Sequence, residues 1–204
     1  MPQGRKEIVM TTDYKNRKRN CIEIFYRFSF GVQELVKRPY YNIFLLVEIF
    51  IFLFAWNFKT KIFPYDIFPS IIYSYFMYVL SALFIFVFIL SIFATIVEIG
   101  FITSKKDESA LQNAFSRESL RNGCPILITR KKNHEVTIKE FYSNIPKSEW
   151  VKHMDSIADS MNCHFVQPEI EYGGRKSNHG KHIRIYTAPG RTRKKRGNMY
   201  ADDL

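Results

Sequence analysis

Two apolar stretches, separated by about a dozen residues that include charges and prolines, constrain this chain more than anything else in it. Residues 40–58, YYNIFLLVEIFIFLFAWNF, carry a single charge, Glu48. Residues 71–102 form a second run whose only charge is Glu98. At about 1.5 Å rise per residue against a hydrocarbon core of roughly 30 Å, the first is just long enough to cross a bilayer as a helix. The second is longer than one perpendicular crossing requires, so its end is expected to tilt or to project as helix beyond the membrane. Between them, Lys59, Lys61, Pro64, Asp66 and Pro69 suit a short external turn. The expected result is a two-span transmembrane hairpin over residues 40–104.

The charges sit almost entirely outside that hairpin. The chain of 204 residues holds 30 Lys+Arg against 19 Asp+Glu, a formal charge of +11. Lys37 and Arg38 precede the first span, with Arg17, Lys18, Arg19 and Arg27 farther back, and Lys105 and Lys106 follow the second. The connecting turn has only Lys59 and Lys61. Because cations flanking membrane helices favour the cytoplasmic side, both termini are expected there, in the cytoplasmic (inner) membrane of a cell, with membrane lipid as a partner. Tyr40, Tyr41 and Trp56 mark the two interfaces of the first span. The first forty residues are polar and basic where a secretory leader would be apolar, so the first span is expected to direct its own insertion. Cys21, Cys124 and Cys163 are few and widely spaced, and read as reduced thiols. A hydrophobic fraction of 47% with 19 Phe and 12 Tyr excludes a disordered chain.

Glu48 lies near the middle of the first span, where an ionised acid costs at least a few kcal/mol. It reads as a protonated or hydrogen-bonded carboxyl facing the second span, with Tyr78 or Ser81 at similar depth. The functional alternative is a proton or ion path, which with two spans per chain would need an oligomer.

Residues 1–39 form a basic cytoplasmic segment, residues 105–189 a small cytoplasmic α+β domain, and residues 190–204 a basic tail. In the domain, residues 107–122, DESALQNAFSRESLRN, place Leu111, Ala114, Phe115 and Leu120 at helical spacing, and Asn122-Gly123 supplies a stop. CPILITRKK and EVTIKEFYS, separated by Lys132-Asn133-His134, read as a β-hairpin. In PKSEWVKHMDSIADSMN, Trp150, Met154, Ile157, Ala158 and Met161 make an amphipathic stripe, with Pro146 or Ser148 as the starting residue. HFVQPEIEYGG and KHIRIYTAP read as two further strands around the turn GGRKSNHG. The expected order is helix, hairpin, helix, two strands.

A search for chemistry finds no catalytic residues. His179 and His182, with Cys163-His164 upstream, are zinc-type ligand residues without the paired spacing of a zinc site. GGRKSNHGKH departs from a P-loop: five residues separate Gly174 from Gly180, His182 follows Lys181, and a strand follows in place of a helix. No metal and no cofactor is therefore expected in this chain. The densest charge cluster comprises Arg191, Arg193, Lys194, Lys195 and Arg196. It can pair with the phosphates of double-stranded DNA, lie against anionic lipid, or remain a solvated connector.

The stretch from Gly123 to Gly174, then HIRIYTAP and the terminal YADDL, resembles the segment before the motor of FtsK/SpoIIIE-type DNA translocases, particularly the smaller mobile-element coupling proteins. The shared pattern is a strand pair, an I-P-x-S-x-W entry into a helix at Ile145 to Trp150, a strand ending near Gly173-Gly174, another ending at Pro189, and an acidic motif at Ala201-Asp202-Asp203-Leu204. The resemblance implies a membrane-anchored hexameric pump that moves double-stranded DNA with ATP and magnesium. Its Walker motifs would follow residue 204; no position here matches one, so no catalytic residue carries over and the chain is expected not to be an enzyme. The implied function is the anchoring and assembly portion of such a translocase or conjugative coupling protein, as a homo-oligomer. The alternative is a stand-alone membrane protein whose basic domain recruits a protein or nucleic acid. Topology is directly checkable: with native cysteines removed, an impermeant thiol reagent on intact cells should label a cysteine at Asn57 and not one at Ser177, and the reverse pattern would invert the hairpin.

Overall fold

The computed structural model describes residues 3–62, 70–167, 169–174 and 179–190. The chain is a two-span helical anchor followed by a small α+β domain, and it divides into two compact units at Ser104/Lys105.

In the first unit, α1 (Gln3–Lys37) leads through a single 3-10 turn (Pro39–Tyr41) into α2 (Asn42–Ile62). The third helix, α3 (Ser70–Ala114), begins in this unit and ends in the next. Helices α2 and α3 are long and apolar enough to cross a membrane. A helix satisfies its backbone N–H and C=O groups internally, which hydrocarbon demands. At 45 residues α3 is about 68 Å long, well beyond one bilayer core. The expected projection of the second span is thus a direct continuation: Ser104, Lys105 and Lys106 cause no break. Helix α2 continues past Phe58 to Ile62, into the stretch expected as an external turn. Its Lys59 ammonium lies 3.5 Å from the Trp56 ring centroid and donates to the Ser81 hydroxyl at 2.9 Å. Pro64, Asp66 and Pro69 lie outside the described residues.

The sequence gives no element for residues 1–39, and α1 is the main addition. Arg27, Phe30, Gly31, Glu34 and Leu35 are all buried, at helical spacing. Gly31 and Gly100 let α1 and α3 meet backbone to backbone: a Cβ on Gly31 would strike the Ile96 carbonyl, and one on Gly100 the Arg27 carbonyl. Small residues permit this approach between helices. Around it, Phe28 stacks on Phe93 at 5.0 Å, and Arg27 donates to the Ser104 hydroxyl while lying 4.9 Å from the Phe101 ring centroid.

The second unit is an antiparallel sheet with helices on one face. Its strands are β1 (Ile126–Asn133), β2 (Val136–Tyr142), β3 (Cys163–Phe165), β4 (Glu171–Tyr172) and β5 (His182–Pro189). The sheet order is β1-β2-β5-β3, with β4 also pairing β5. The expected hairpin forms with Asn133 opposite Val136, its turn reached by His134 at φ 51°. On β5 the pleat alternates: Ile183, Ile185 and Thr187 are buried, while Arg184 and Tyr186 face the other side. The buried face packs with Leu127, Phe141, Ile157 and Trp150; the Trp150 ring meets Phe115 edge-on at 5.1 Å and Phe141 at 5.7 Å.

Three boundaries differ from expectation. The helix expected at 107–122 is the end of α3, which stops at Ala114, and only a 3-10 turn, Ser119–Asn122, precedes Gly123. The helix expected after Pro146 is two, α4 (Lys147–Lys152) and α5 (Met154–Met161), divided at His153, with Pro146 rather than Ser148 at the start. No proline or glycine lies at that division; its hydrogen bonds continue through His153 to Glu149 and from Ile157 to His153. The strand expected from His164 to Gly174 is split into β3 and β4, both on β5. A proline at 168 has no N–H to give a ladder there, and Ile170 enters the core between the two pieces at 1% exposure.

The contact at Gly31 and Gly100 should tolerate no side chain. Gly31→Ala and Gly100→Ala should each destabilise the chain by about 1–3 kcal/mol, outweighing the roughly 1 kcal/mol by which alanine surpasses glycine inside a helix. Unfolding in mild detergent followed by circular dichroism reads this, with exposed Asn20→Ala unchanged.

Candidate functional site

Glu48 lies on α2 and faces α3. The two helices run antiparallel, since Lys59 meets Ser81, Phe52 stacks on Phe88 at 4.2 Å, and Glu48 meets Thr95. The Thr95 hydroxyl donates to Glu48 Oε1, and Glu48 Oε2 is buried with no hydrogen-bond partner among the described residues. Beside them is a cleft of about 220 Å³ lined by Phe52, Phe84, Val87, Phe88 and Ser91. Ser91 and Thr95, one turn apart, put two hydroxyl groups on the side of α3 that faces the acid.

The carboxyl therefore faces the second span through a hydrogen bond, with a different partner from the one expected. Tyr78 is 77% exposed, and Ser81 accepts from Lys59 while donating to the Met77 carbonyl. The two helices are staggered: Glu48 lies 14 residues before Ile62, and 14 residues beyond Ser70 is Phe84, yet the acid meets Thr95, so its partner falls in the later half of the α3 span. The five cations Arg191, Arg193, Lys194, Lys195 and Arg196 lie outside the described residues, as do Arg175 to Asn178 of the glycine-rich turn and the terminal YADDL motif.

Among the described residues of the second unit, ion clusters that the sequence reading does not find lie on both faces of the sheet. On the helix-facing side, Asp107 accepts from Lys139 Nζ at 2.9 Å and from Arg130 at 3.3 Å. Glu108 accepts from the Leu127 N–H at 2.9 Å. On the opposite face, Glu140 accepts from His182 Nδ1 at 2.8 Å, the Gly174 N–H at 2.8 Å and Arg184 Nη2 at 3.0 Å. A Cβ on Gly173 would lie 2.7 Å from the Glu140 carboxyl carbon, so the glycine pair makes room for the acid. The His182 hydrogen bond first, then those from Gly174 and Arg184, hold the Glu140 carboxyl down to about 2 against the opposing effect of burial. His182 is thus committed to Glu140, and His164 Nδ1 lies 2.7 Å from the Gly190 carbonyl. Burial pushes the Cys163 thiol up, which makes it a poor nucleophile.

No protein-family model matches this sequence, and no curated protein matches it. Among solved structures, the chain is similar to the pCW3 conjugation coupling protein TcpA, in a monomer form with ATPgS. The similarity is 20% in identity with a TM-score of 0.34, over 42% of this chain and 24% of that one.

Glu140 has a definite acid signature. Its carboxyl titrates lower in the folded chain than the ordinary 4.5, so its stabilisation is fully present above that pH and is lost as pH falls toward about 2. Near-UV circular dichroism should show tertiary structure weakening through this window. Glu140→Gln should be less stable than the parent at pH 7 and show a smaller further loss on acidification.

Proposed function

We propose that this chain is the membrane-anchoring and assembly portion of an FtsK/SpoIIIE-like DNA translocase or conjugative coupling protein. The observation that carries the reading is the joining of two helices long enough to cross a membrane to a small antiparallel α+β unit. The residue pattern from Gly123 to Gly174 and from His182 to Pro189 adds the resemblance to pre-motor segments. In this reading the hairpin holds both termini at the cytoplasmic face of the inner membrane, and the α+β unit meets its counterparts in a homo-oligomer. Cations at Arg191, Arg193, Lys194, Lys195 and Arg196 pair with phosphates of passing double-stranded DNA without reading bases. ATP and magnesium would be the business of a motor, since the 204 residues contain no GxxxxGK[ST] sequence.

The test is the salt dependence of duplex binding by purified protein in detergent. Binding should be weak, indifferent to sequence and steeply weakened by salt, with a log–log slope of about −0.9 per phosphate neutralised. Replacing the five cations by Gln should flatten the slope. An unchanged slope would remove the DNA role from this run.

A further inference from the structure

Helix α1 carries a second stripe, apart from the one that packs on α3. Lys18, Cys21, Phe25, Val32 and Val36 follow one another at intervals of three, four, seven and four residues, which lines them up along one side of a helix. All five are exposed, Phe25 at 66% and Val36 at 81%. Glu23 and Glu34 do not reach this side. Glu23 pairs with Arg27 at 3.2 Å, and Glu34 is buried and pairs with Arg38 at 3.3 Å and Lys37 at 3.9 Å. Exposed Arg17 and Lys18 flank the apolar residues at one end, and Lys37 and Arg38, with side chains 41% and 44% exposed, flank them at the other.

The position of α1 supplies the rest. Only Arg38 to Tyr41 separate it from α2. Its contacts with Ile96, Gly100 and Ser104 fall where the apolar run of α3 gives way to Ser104, Lys105 and Lys106. That is where a spanning helix leaves hydrocarbon for the headgroups.

We propose that the outer face of α1 lies on an anionic lipid surface, with Phe25, Val32 and Val36 entering the boundary between headgroups and acyl chains. Arg17 and Lys18 pair with lipid phosphates at one end, and Lys37 and Arg38, which share Glu34 and keep one net positive charge, face the headgroups at the other. An amphipathic helix with apolar side chains bordered by cations binds membranes in this way. Charge complementarity selects the occupant, since a second copy would set the same cations against one another. The proposal rests on α2 and α3 crossing the membrane.

The test uses the full chain with Cys21→Ser, Cys124→Ser and Cys163→Ala, bearing a bimane fluorophore on Val36→Cys or, separately, on Phe25→Cys. It is reconstituted in phosphatidylcholine vesicles with or without phosphatidylglycerol and with a lipid-attached quencher. A label on Val47→Cys in α2 reports insertion. With phosphatidylglycerol present, emission at 36 and 25 should be lost to the lipid quencher and protected from aqueous iodide. Arg17→Gln with Lys18→Gln should restore part of that emission without changing the signal at 47. Quenching at 47 but not at 36 or 25 overturns the surface helix while leaving the anchor. Oxidative cross-linking of the unsubstituted chain through Cys21, with no lipid quenching at 25 and 36 in the labelled chains, assigns the face to a second copy and overturns it too. Failure to quench at 47 overturns the anchor and this proposal with it.

Discussion

The sheet of the α+β unit depends on two neighbouring acids in the last part of α3. Asp107 compensates Lys139, an ammonium that β2 carries on its buried, helix-facing side, and takes Arg130 from β1 as well. Glu108 receives the N–H of Leu127, which β1 presents where its register with β2 is disturbed. Removing one partner of such a buried pair leaves a charge without compensation, a loss of about 3–5 kcal/mol. The arrangement therefore fixes which side of the β1–β2 hairpin meets α3, and Phe141, Trp150 and Phe115 close over the same side.

Where one kind of side chain dominates a segment, the sequence is readable. The two spans were visible because hydrocarbon accepts little besides apolar helix, and the β1–β2 hairpin because β-branched residues bracket a short polar turn. Helix α1 was not visible: its buried stripe includes Arg27, Gly31 and Glu34, so the apolar period is diluted by an ion-pairing residue, a glycine chosen for closeness and a buried acid. The division at His153 has no local marker at all. The split between β3 and β4 did have one, Pro168, but the surrounding β-type residues read as one strand.

The candidate sites follow the same division. Glu48 stood out because a carboxyl among apolar residues is rare, yet its partner depends on the stagger between α2 and α3, which composition does not fix. Glu140 was invisible as a site because its partners, Gly174, His182 and Arg184, lie 34 to 44 residues away and converge only through strand register.

The glycine pair that receives Glu140 has a consequence for how this unit can vary. The chain entering residues 175–178 is held by the Gly174 N–H on Glu140, and the chain leaving them by the His179 N–H on the Gly173 carbonyl at 3.1 Å. His182 then donates to the His179 carbonyl at 2.9 Å, just as β5 begins. The placement of β4 and β5 is thus held by the residues on either side of 175–178, and a side chain added at Gly173, where a Cβ would meet the Glu140 carboxyl, bears on both strands at once.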